Sequence, residues 1–258
     1  MTDRIEMEEI NRIAREAGRA VLEVYGTEFS VDVKEDLSPL TEADRRSNAV
    51  IVGALERLFP EIPIISEETR TVDYEERKDW DCFWLVDPLD GTKEFIKRNG
   101  EFTVNIALVR GQKPVLGVVY QPVGDFLYYA SEGRGAWKST GGGSPVRLSG
   151  GEHYASKAAV TVVASRSHLT DDVRAFVADL EARGKTVEFL SAGSSLKLCL
   201  VAEGAADVYP RLGPTMEWDT GAAHAVALEA GRRVVEHGTD RPLLYNKENL
   251  LNPFFVVE

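Results

Sequence analysis

The apolar run Phe83-Trp84-Leu85-Val86 passes without a break into Asp87-Pro88-Leu89-Asp90-Gly91-Thr92. Such a run reads as a buried strand. Pro88 presets a turn behind it, and Gly91 lets the backbone approach closely where a helix can open. The chain must therefore place two carboxylates and then a helix start at the end of one buried strand. Asp87 and Asp90 can face a single point, with the Leu89 carbonyl between them. An all-oxygen set with open water positions suits Mg2+. The helix start offers N–H groups to an anion. Thr92 fits a helix cap or a hydroxyl that orients a water. Taken alone, D-x-x-D-G also serves as a capped turn.

Three more acidic positions can complete this site. Glu67-Glu68 follow the short strand 62–65, so one of them can point back across the strand ends. Alone they read as the start of a solvated loop. Asp219, after Glu217-Trp218, opens a helix, where capping is its plain role. Asp44, in Thr41-Glu42-Ala43-Asp44, falls in the first turn of a helix, where the helix dipole accounts for it.

Periodicity places these residues. Helical spacing covers 5–25, with Ile10, Ile13, Ala17 and Val21 on one face and Gly26 as the stop, and also 42–58, followed by Pro60. The stretch 69–81 is polar and reads as a surface loop with one helical turn. Strands follow at 102–109 and 114–120, then a hairpin of 126–130 and 136–138, then the loop 141–145. From about 155 strands and helices alternate: strands 160–164, 187–190, 206–209, 233–235 and 254–257, helices 171–183, 194–203 and 219–230. Gly184, Gly204 and Gly231 close those helices. The reading is an α+β part, 1–150, followed by an α/β part, 151–258.

Composition narrows the chemistry. The 258 residues are 43% hydrophobic and 28% charged, which is ordinary for a globular protein. No window approaches the roughly 18 apolar residues of a membrane span. The acidic, amphipathic N-terminus does not read as a signal peptide. Two cysteines, Cys82 and Cys199, without a CxxC pair, argue against disulfides or zinc-thiolate and fit a reducing cytoplasm. A net charge of -12 excludes a nucleic-acid polymer or an anionic membrane as the main partner. It would also repel a small phosphate, unless bound cations set the local charge. The four histidines, His153, His168, His224 and His237, lack ligand spacing and read as structural or solvated.

Four separated motifs then agree. Ser38-Pro39-Leu40-Thr41-Glu42-Ala43-Asp44, Ser66-Glu67-Glu68, Trp84 through Thr92, and Glu217-Trp218-Asp219-Thr220-Gly221-Ala222 occur in this order. Together they resemble the lithium-sensitive, magnesium-dependent phosphatases of the inositol monophosphatase superfamily. Three further stretches are similar to its 3'(2'),5'-bisphosphate nucleotidases of the bacterial CysQ type: Gly91-Thr92-Lys93-Glu94-Phe95, Gly193-Ser194-Ser195-Leu196-Lys197, and 210–219. An inositol monophosphatase more often carries Asn-Phe after the threonine pair and a shorter segment before Trp-Asp. The charged stretch 69–80 departs from the pattern.

The resemblance implies a layered αβαβα sandwich and two to three Mg2+ ions. Glu67, Asp87 and the Leu89 carbonyl resemble the ligands of the first ion, and Asp87, Asp90 and Asp219 those of the second. A third, weaker ion would lie near Glu67 and Asp44. Thr92 and Asp44 look like the pair that orients and deprotonates the attacking water, with Glu67 assisting. The start at Gly91-Thr92 would hold the scissile phosphate. Lys197 and Arg211, with Ser194 and Ser195 as neutral donors, are the candidates for a second phosphate. Lys197 also reads as a solvated helix lysine, and Lys93, Lys97 and Arg98 as surface charge. The implied reaction removes the 3'-phosphate of adenosine 3',5'-bisphosphate, with the 5'-phosphosulfate analogue as a further substrate, in a cytoplasmic monomer or homodimer. The alternatives are the same chemistry on an inositol or sugar phosphate, and a non-catalytic nucleotide- or cation-binding protein. Nothing in the sequence supports peripheral membrane association.

Overall fold

Alternation of side chains along the central strands sets the layering. The structure, a computed structural model, describes residues 5–33, 39–69, 72–164 and 170–258. Ser38 of the first motif, His168, and part of the charged stretch at 70–71 lie outside the described residues. Helix α1 (Met7–Tyr25), the strand pair β1 (Val31–Val33) and β2 (Pro39–Thr41), and helix α2 (Glu42–Leu58) come first. Seven strands then form the main sheet, in the order β3 (Ile64–Ser66), β4 (Cys82–Asp90), β5 (Thr103–Arg110), β6 (Lys113–Gln121), β7 (Phe126–Ser131), β8 (Gly135–Thr140) and β9 (Val146–Arg147). β3 and β4 are parallel, and the other neighbours antiparallel.

Trp84, Val86, Ile106, Leu108, Val118 and Tyr120 join one core with α1 and α2, while Phe83, Leu85, Ala107, Val109 and Val119 join another. Both faces are apolar because both are covered. On the second face lie α6 (Leu196–Ala202) and α7 (Glu217–Glu229). Beneath these helices are the parallel pair β10 (Ala159–Ala164) and β11 (Thr186–Ser191), and the strands β12 (Tyr209–Arg211), β14 (Phe255–Val257) and β13 (Val234–Glu236). Helix α5 (Asp171–Ala182) packs on their outer side through Val177 and Leu180. The layers run α, β, α, β, α, as the sequence resemblance implies. The core between the sheets joins Phe83 and Leu85 to Val226 and Phe255, from either side of position 150.

Helix α7 lies between two sheets and is buried on all sides from Thr220 to Ala227. Its small residues let it approach β6 closely. A Cβ on Gly117 would stand 2.1 Å from the Ala222 carbonyl oxygen, which belongs to backbone and cannot swing away. Gly117→Ala is expected to destabilise the protein by about 3 kcal/mol. Thermal melting should then show a Tm lower by about 6–12 °C, and an unchanged Tm would contradict this close approach.

Four sequence expectations are corrected. Residues 206–209 do not form a strand: β12 begins at Tyr209, and Val208 makes only an isolated bridge to Val162. Ala206 is apolar because it is buried, not because it is extended. The helix expected over 194–203 begins at Leu196, because Ser194 adopts φ 46° in the turn before it. The helix expected from Asp219 begins at Glu217. The stretch 69–81 does contain one turn, α3 (Tyr74–Arg77), but Arg77 within it is buried.

Candidate active site

The parallel pairing of β3 with β4 aligns Ser66 with Val86. The next residues, Glu67 and Asp87, therefore emerge side by side, and Glu67 N donates to the Val86 carbonyl at 3.1 Å. β4 continues through the hexapeptide, and its pairing with β5 becomes irregular between Asp87 and Asp90. That irregularity turns both carboxylates to the same end of the sheet. Leu89 N donates to Asp87 Oδ1 at 3.0 Å, and Ser47 Oγ holds the Pro88 carbonyl at 2.6 Å. Gly91 adopts φ 91°, a conformation natural to glycine, and opens the short helix α4 (Thr92–Ile96).

Asp44 is held by the start of α2. Its Oδ2 accepts from Thr41 N at 2.7 Å and Thr41 Oγ1 at 2.6 Å. Its Oδ1 accepts from Thr92 Oγ1 at 3.3 Å, across 48 residues of chain. Thr92 Oγ1 also lies 3.3 Å from the Leu89 carbonyl oxygen. Asp219 occupies the first turn of α7, where its Oδ2 accepts from Met216 N at 2.9 Å. Asp90 Oδ2 accepts from Ser195 N at 2.5 Å and Asn105 Nδ2 at 3.4 Å.

Burial and mutual repulsion dominate the electrostatics. Asp87 is 1% exposed. Burial raises its pKa well above the carboxylate range, and Glu67, Asp90 and Asp219 raise it further. Burial lifts Asp90 to about 6, against the opposing pull of Lys197 and the Ser195 N–H. Burial lifts Asp219 to about 8, reinforced by Asp90. Carboxylates raised in this way are a site short of positive charge. Each of the three aspartates gives one oxygen to a backbone N–H. Among the described residues no three acidic, histidine or cysteine side chains form a closed ligand set, and like-charge repulsion favours this spread arrangement. The donors are hard oxygens, which fits a hard divalent cation.

A cleft of about 220 Å³ opens beside Asp90, Gly91 and Asp219. Lys93 of α4 and Lys97 just after it line one side, Lys197 and Arg211 the other. Lys197 is 6% exposed, so it is not the solvated helix lysine that its local sequence allows. Its Nζ donates to the Ser194 carbonyl at 2.6 Å and lies 5.7 Å from the Tyr209 ring centre. Arg211 donates to the Pro214 carbonyl at 2.7 Å, while its buried Nε has no partner among the described residues. In a chain of net charge -12, these four cations stand together beside the acidic Asp90, Glu94 and Asp219 of the same cleft.

The structure thus brings Asp44, Glu67, Asp87, Leu89, Asp90, Gly91, Thr92 and Asp219 to one end of the main sheet, with Ser194, Ser195, Lys197 and Arg211 on the cleft. Ser195 differs. Its hydroxyl donates to Asn105 Oδ1 at 2.9 Å and meets Thr103 Oγ1 at 2.9 Å, so it supports Asp90 rather than offering a donor to the cleft. Arg98 also turns away, to the carbonyls of Tyr25 and Thr27. His224 bonds the Tyr245 hydroxyl through Nδ1 at 2.9 Å, and burial lowers its pKa to about 3, a structural role. Sequence reasoning missed Asn105. The signal was a polar side chain at an inward position of an otherwise apolar strand.

The inositol monophosphatase family pattern matches residues 3–253. The 3'(2'),5'-bisphosphate nucleotidases CysQ of Salmonella typhimurium and of Escherichia coli K12 are each 47% identical to this chain, over 97% of it and 98% of their own length. The crystal structure of CysQ from Bacteroides thetaiotaomicron is similar with TM-score 0.87 and 47% identity, covering 99% of this chain and 98% of that one. An IMPase from Thermotoga maritima shares the fold, with TM-score 0.77 and 24% identity over 98% of this chain and 91% of that one. With its acidic strand ends, its Thr92–Asp44 pair and these likenesses, the chain belongs to the inositol monophosphatase family.

Proposed function

We propose that this chain is a metal-dependent 3'(2'),5'-bisphosphate nucleotidase that hydrolyses the 3'-phosphate of adenosine 3',5'-bisphosphate to give AMP and phosphate. The observation that carries the substrate reading is that buried Lys197 hydrogen-bonds the Ser194 carbonyl, with no direct ion pair to a carboxylate among the described residues, together with the Arg211 Nε that has no partner among them. Both face a cleft that begins at the acid cluster. An inositol monophosphate has no second phosphate to meet them. The curated relatives that share 47% identity carry the same activity in their names.

In this reading Glu67, Asp87 and the Leu89 carbonyl would hold one Mg2+, and Asp87, Asp90 and Asp219 a second, with a third near Glu67 and Asp44. When bound, these ions acidify a water and neutralise charge on the phosphoryl group. Thr92 Oγ1 orients the attacking water, and Asp44 Oδ1, which already accepts from that hydroxyl, receives the proton. Glu67 assists. The start of α4 positions the scissile phosphate, and Lys197 and Arg211 hold the 5'-phosphate. Lys93 and Lys97 strengthen attraction into the cleft from the opposite wall.

The test is phosphate release at pH near 8 with Mg2+ from adenosine 3',5'-bisphosphate, inositol 1-phosphate and fructose 1,6-bisphosphate, with and without Li+. Preference for the nucleotide, inhibited by Li+, is the expected result. Lys197→Ala should raise KM for the bisphosphate about 10–100-fold, the scale of a lost charge-assisted contact. It should change KM for adenosine 3'-monophosphate little. Equal loss on both substrates would remove Lys197 from 5'-phosphate recognition.

A further inference from the structure

The acid cluster is assembled from two distant parts of the chain. Glu67, Asp87 and Asp90 belong to the main sheet, and Asp219 to the first turn of α7. A buried polar joint connects these parts. Arg77 lies on the connection that leaves Glu67 and returns as β4. It is 2% exposed. Its Nη1 donates to Asn246 Oδ1 at 2.8 Å, its Nη2 to the Glu248 carbonyl at 2.9 Å, and its Nε to the Val72 carbonyl at 3.2 Å. Asn246 Nδ2 returns a bond to the Arg77 carbonyl at 2.9 Å.

The joint continues to α7. Asn246 N donates to Glu217 Oε2 at 2.7 Å, and Lys247 donates to Glu217 Oε1 from its backbone N at 3.1 Å and from Nζ at 2.5 Å. Glu217 is wholly buried and stands two residues before Asp219. Asn252 Nδ2 adds a bond to the Met216 carbonyl at 2.8 Å, the residue whose N–H holds Asp219. Asn246 takes φ 56°, a left-handed conformation that costs energy outside glycine and is held here by its contacts. Packing of α7 on β6 fixes the distance of the helix from the sheet. It does not by itself fix the pose of the first turn, whose polar groups are set by this joint.

We propose that Arg77 and Asn246 are positioning residues: they lock the first turn of α7, and with it Asp219, in register with Glu67 and Asp87. This rests on reading the acid cluster as the metal site. It also gives the charged stretch before Trp80 a role, as the strut between the two halves.

The experiment is calorimetric titration of the metal-free full chain with Mn2+, alongside far-UV circular dichroism and thermal melting. The informative variant is Asn246→Gly. Glycine accepts the left-handed backbone and keeps the N–H to Glu217, so it removes the Arg77 contact alone. Arg77→Ala and the double variant complete a cycle. Expected is a Mn2+ dissociation constant raised about tenfold in Asn246→Gly with the fold intact, and no larger in the double variant than in the weaker-binding single. A lowered Tm with unchanged Mn2+ affinity would make the joint merely structural and overturn the proposal. Additive losses would overturn it too. If Arg77→Ala does not fold, Asn246→Gly decides alone. A wild-type chain that takes up no Mn2+ overturns this proposal and the metal-site reading together. One that takes up Mn2+ yet releases no phosphate overturns only the substrate reading, and the affinity shift still decides the joint.

Discussion

Asp87→Asn is expected to cut phosphate release steeply while making the metal-free protein more stable. Asp87 is the carboxylate shared by both proposed ion positions, and it is surrounded by Glu67, Asp90 and Asp219. Metal charge is worth several kcal/mol in a transition state, so turnover should fall on the order of 10³-fold. The amide keeps the shape, and its Oδ1 can still accept from Leu89 N. Without metal, the substitution removes a carboxyl that burial and its acidic neighbours keep from ionising in the folded state, while the unfolded chain ionises it freely. Set against the several kcal/mol that desolvating an ion costs, relief of about 2 kcal/mol corresponds to a Tm rise of about 4–8 °C for a chain of this size.

The pH dependence gives the sign independently. Asp90 is raised from 3.8 to about 6 and Asp219 from 3.8 to about 8. Across that window the folded state keeps protons that the unfolded chain has released. Stability of the metal-free protein therefore falls as pH rises from about 4 to about 8. Saturating Mg2+ should flatten the slope, and Asp87→Asn should reduce it by removing the raised titration of Asp87 itself. Melting curves at pH 5, 6.5 and 8, with Mg2+ and with chelator, measure all of this. A metal-free stability that rises with pH, or an Asp87→Asn protein that melts lower than wild type, would contradict the repulsive cluster.

Much of this arrangement was legible because it is local. Ile10, Ile13, Ala17 and Val21 mark the buried face of α1, and the bounds of α2 follow from Thr41 and Pro60. The acid cluster was legible because each member stands at a strand or helix end with its own short motif. What failed has one physical origin, burial that depends on distant partners. Ala206 and Val208 are apolar enough for a strand, yet the layer above them supplies the burial without a ladder. Glu217 looked like the flank of a helix capped by Asp219. It is instead the first helical residue, made affordable in the core by Asn246 and Lys247 some thirty residues away. Arg77 lies 169 residues from Asn246, so no spacing rule could pair them. For Lys197 the sequence left a phosphate contact and a solvated lysine both open, because a short helix buried on several sides carries no stripe to reveal which face is covered.

Thr92→Ala should separate chemistry from binding. Thr92 is half-buried, and its hydroxyl lies 3.3 Å from both Asp44 Oδ1 and the Leu89 carbonyl oxygen. These distances are long for O–H···O bonds, as catalytic contacts often are before substrate arrives. They contribute little to folding, so Tm should move by no more than a few degrees. Loss of a positioned proton-transfer partner costs about 10²–10⁴ in rate. kcat should fall by that amount with KM nearly unchanged, because in the proposed site the phosphate would meet backbone N–H groups at the start of α4 that alanine preserves. Thr92→Ser keeps the hydroxyl and should recover most of the loss, which a purely steric role for the methyl group would not allow. Asp44 is the second arm of the pair. Thr41 holds its Oδ2 through both N–H and hydroxyl, so Asp44→Asn can keep its place while losing its ability to take a proton. The double variant should then be scarcely slower than the worse single, as residues acting as one unit behave. Independent, multiplying losses would mean that Thr92 and Asp44 do not hand on the same proton, and near-normal turnover in Thr92→Ala would remove it from the reaction altogether.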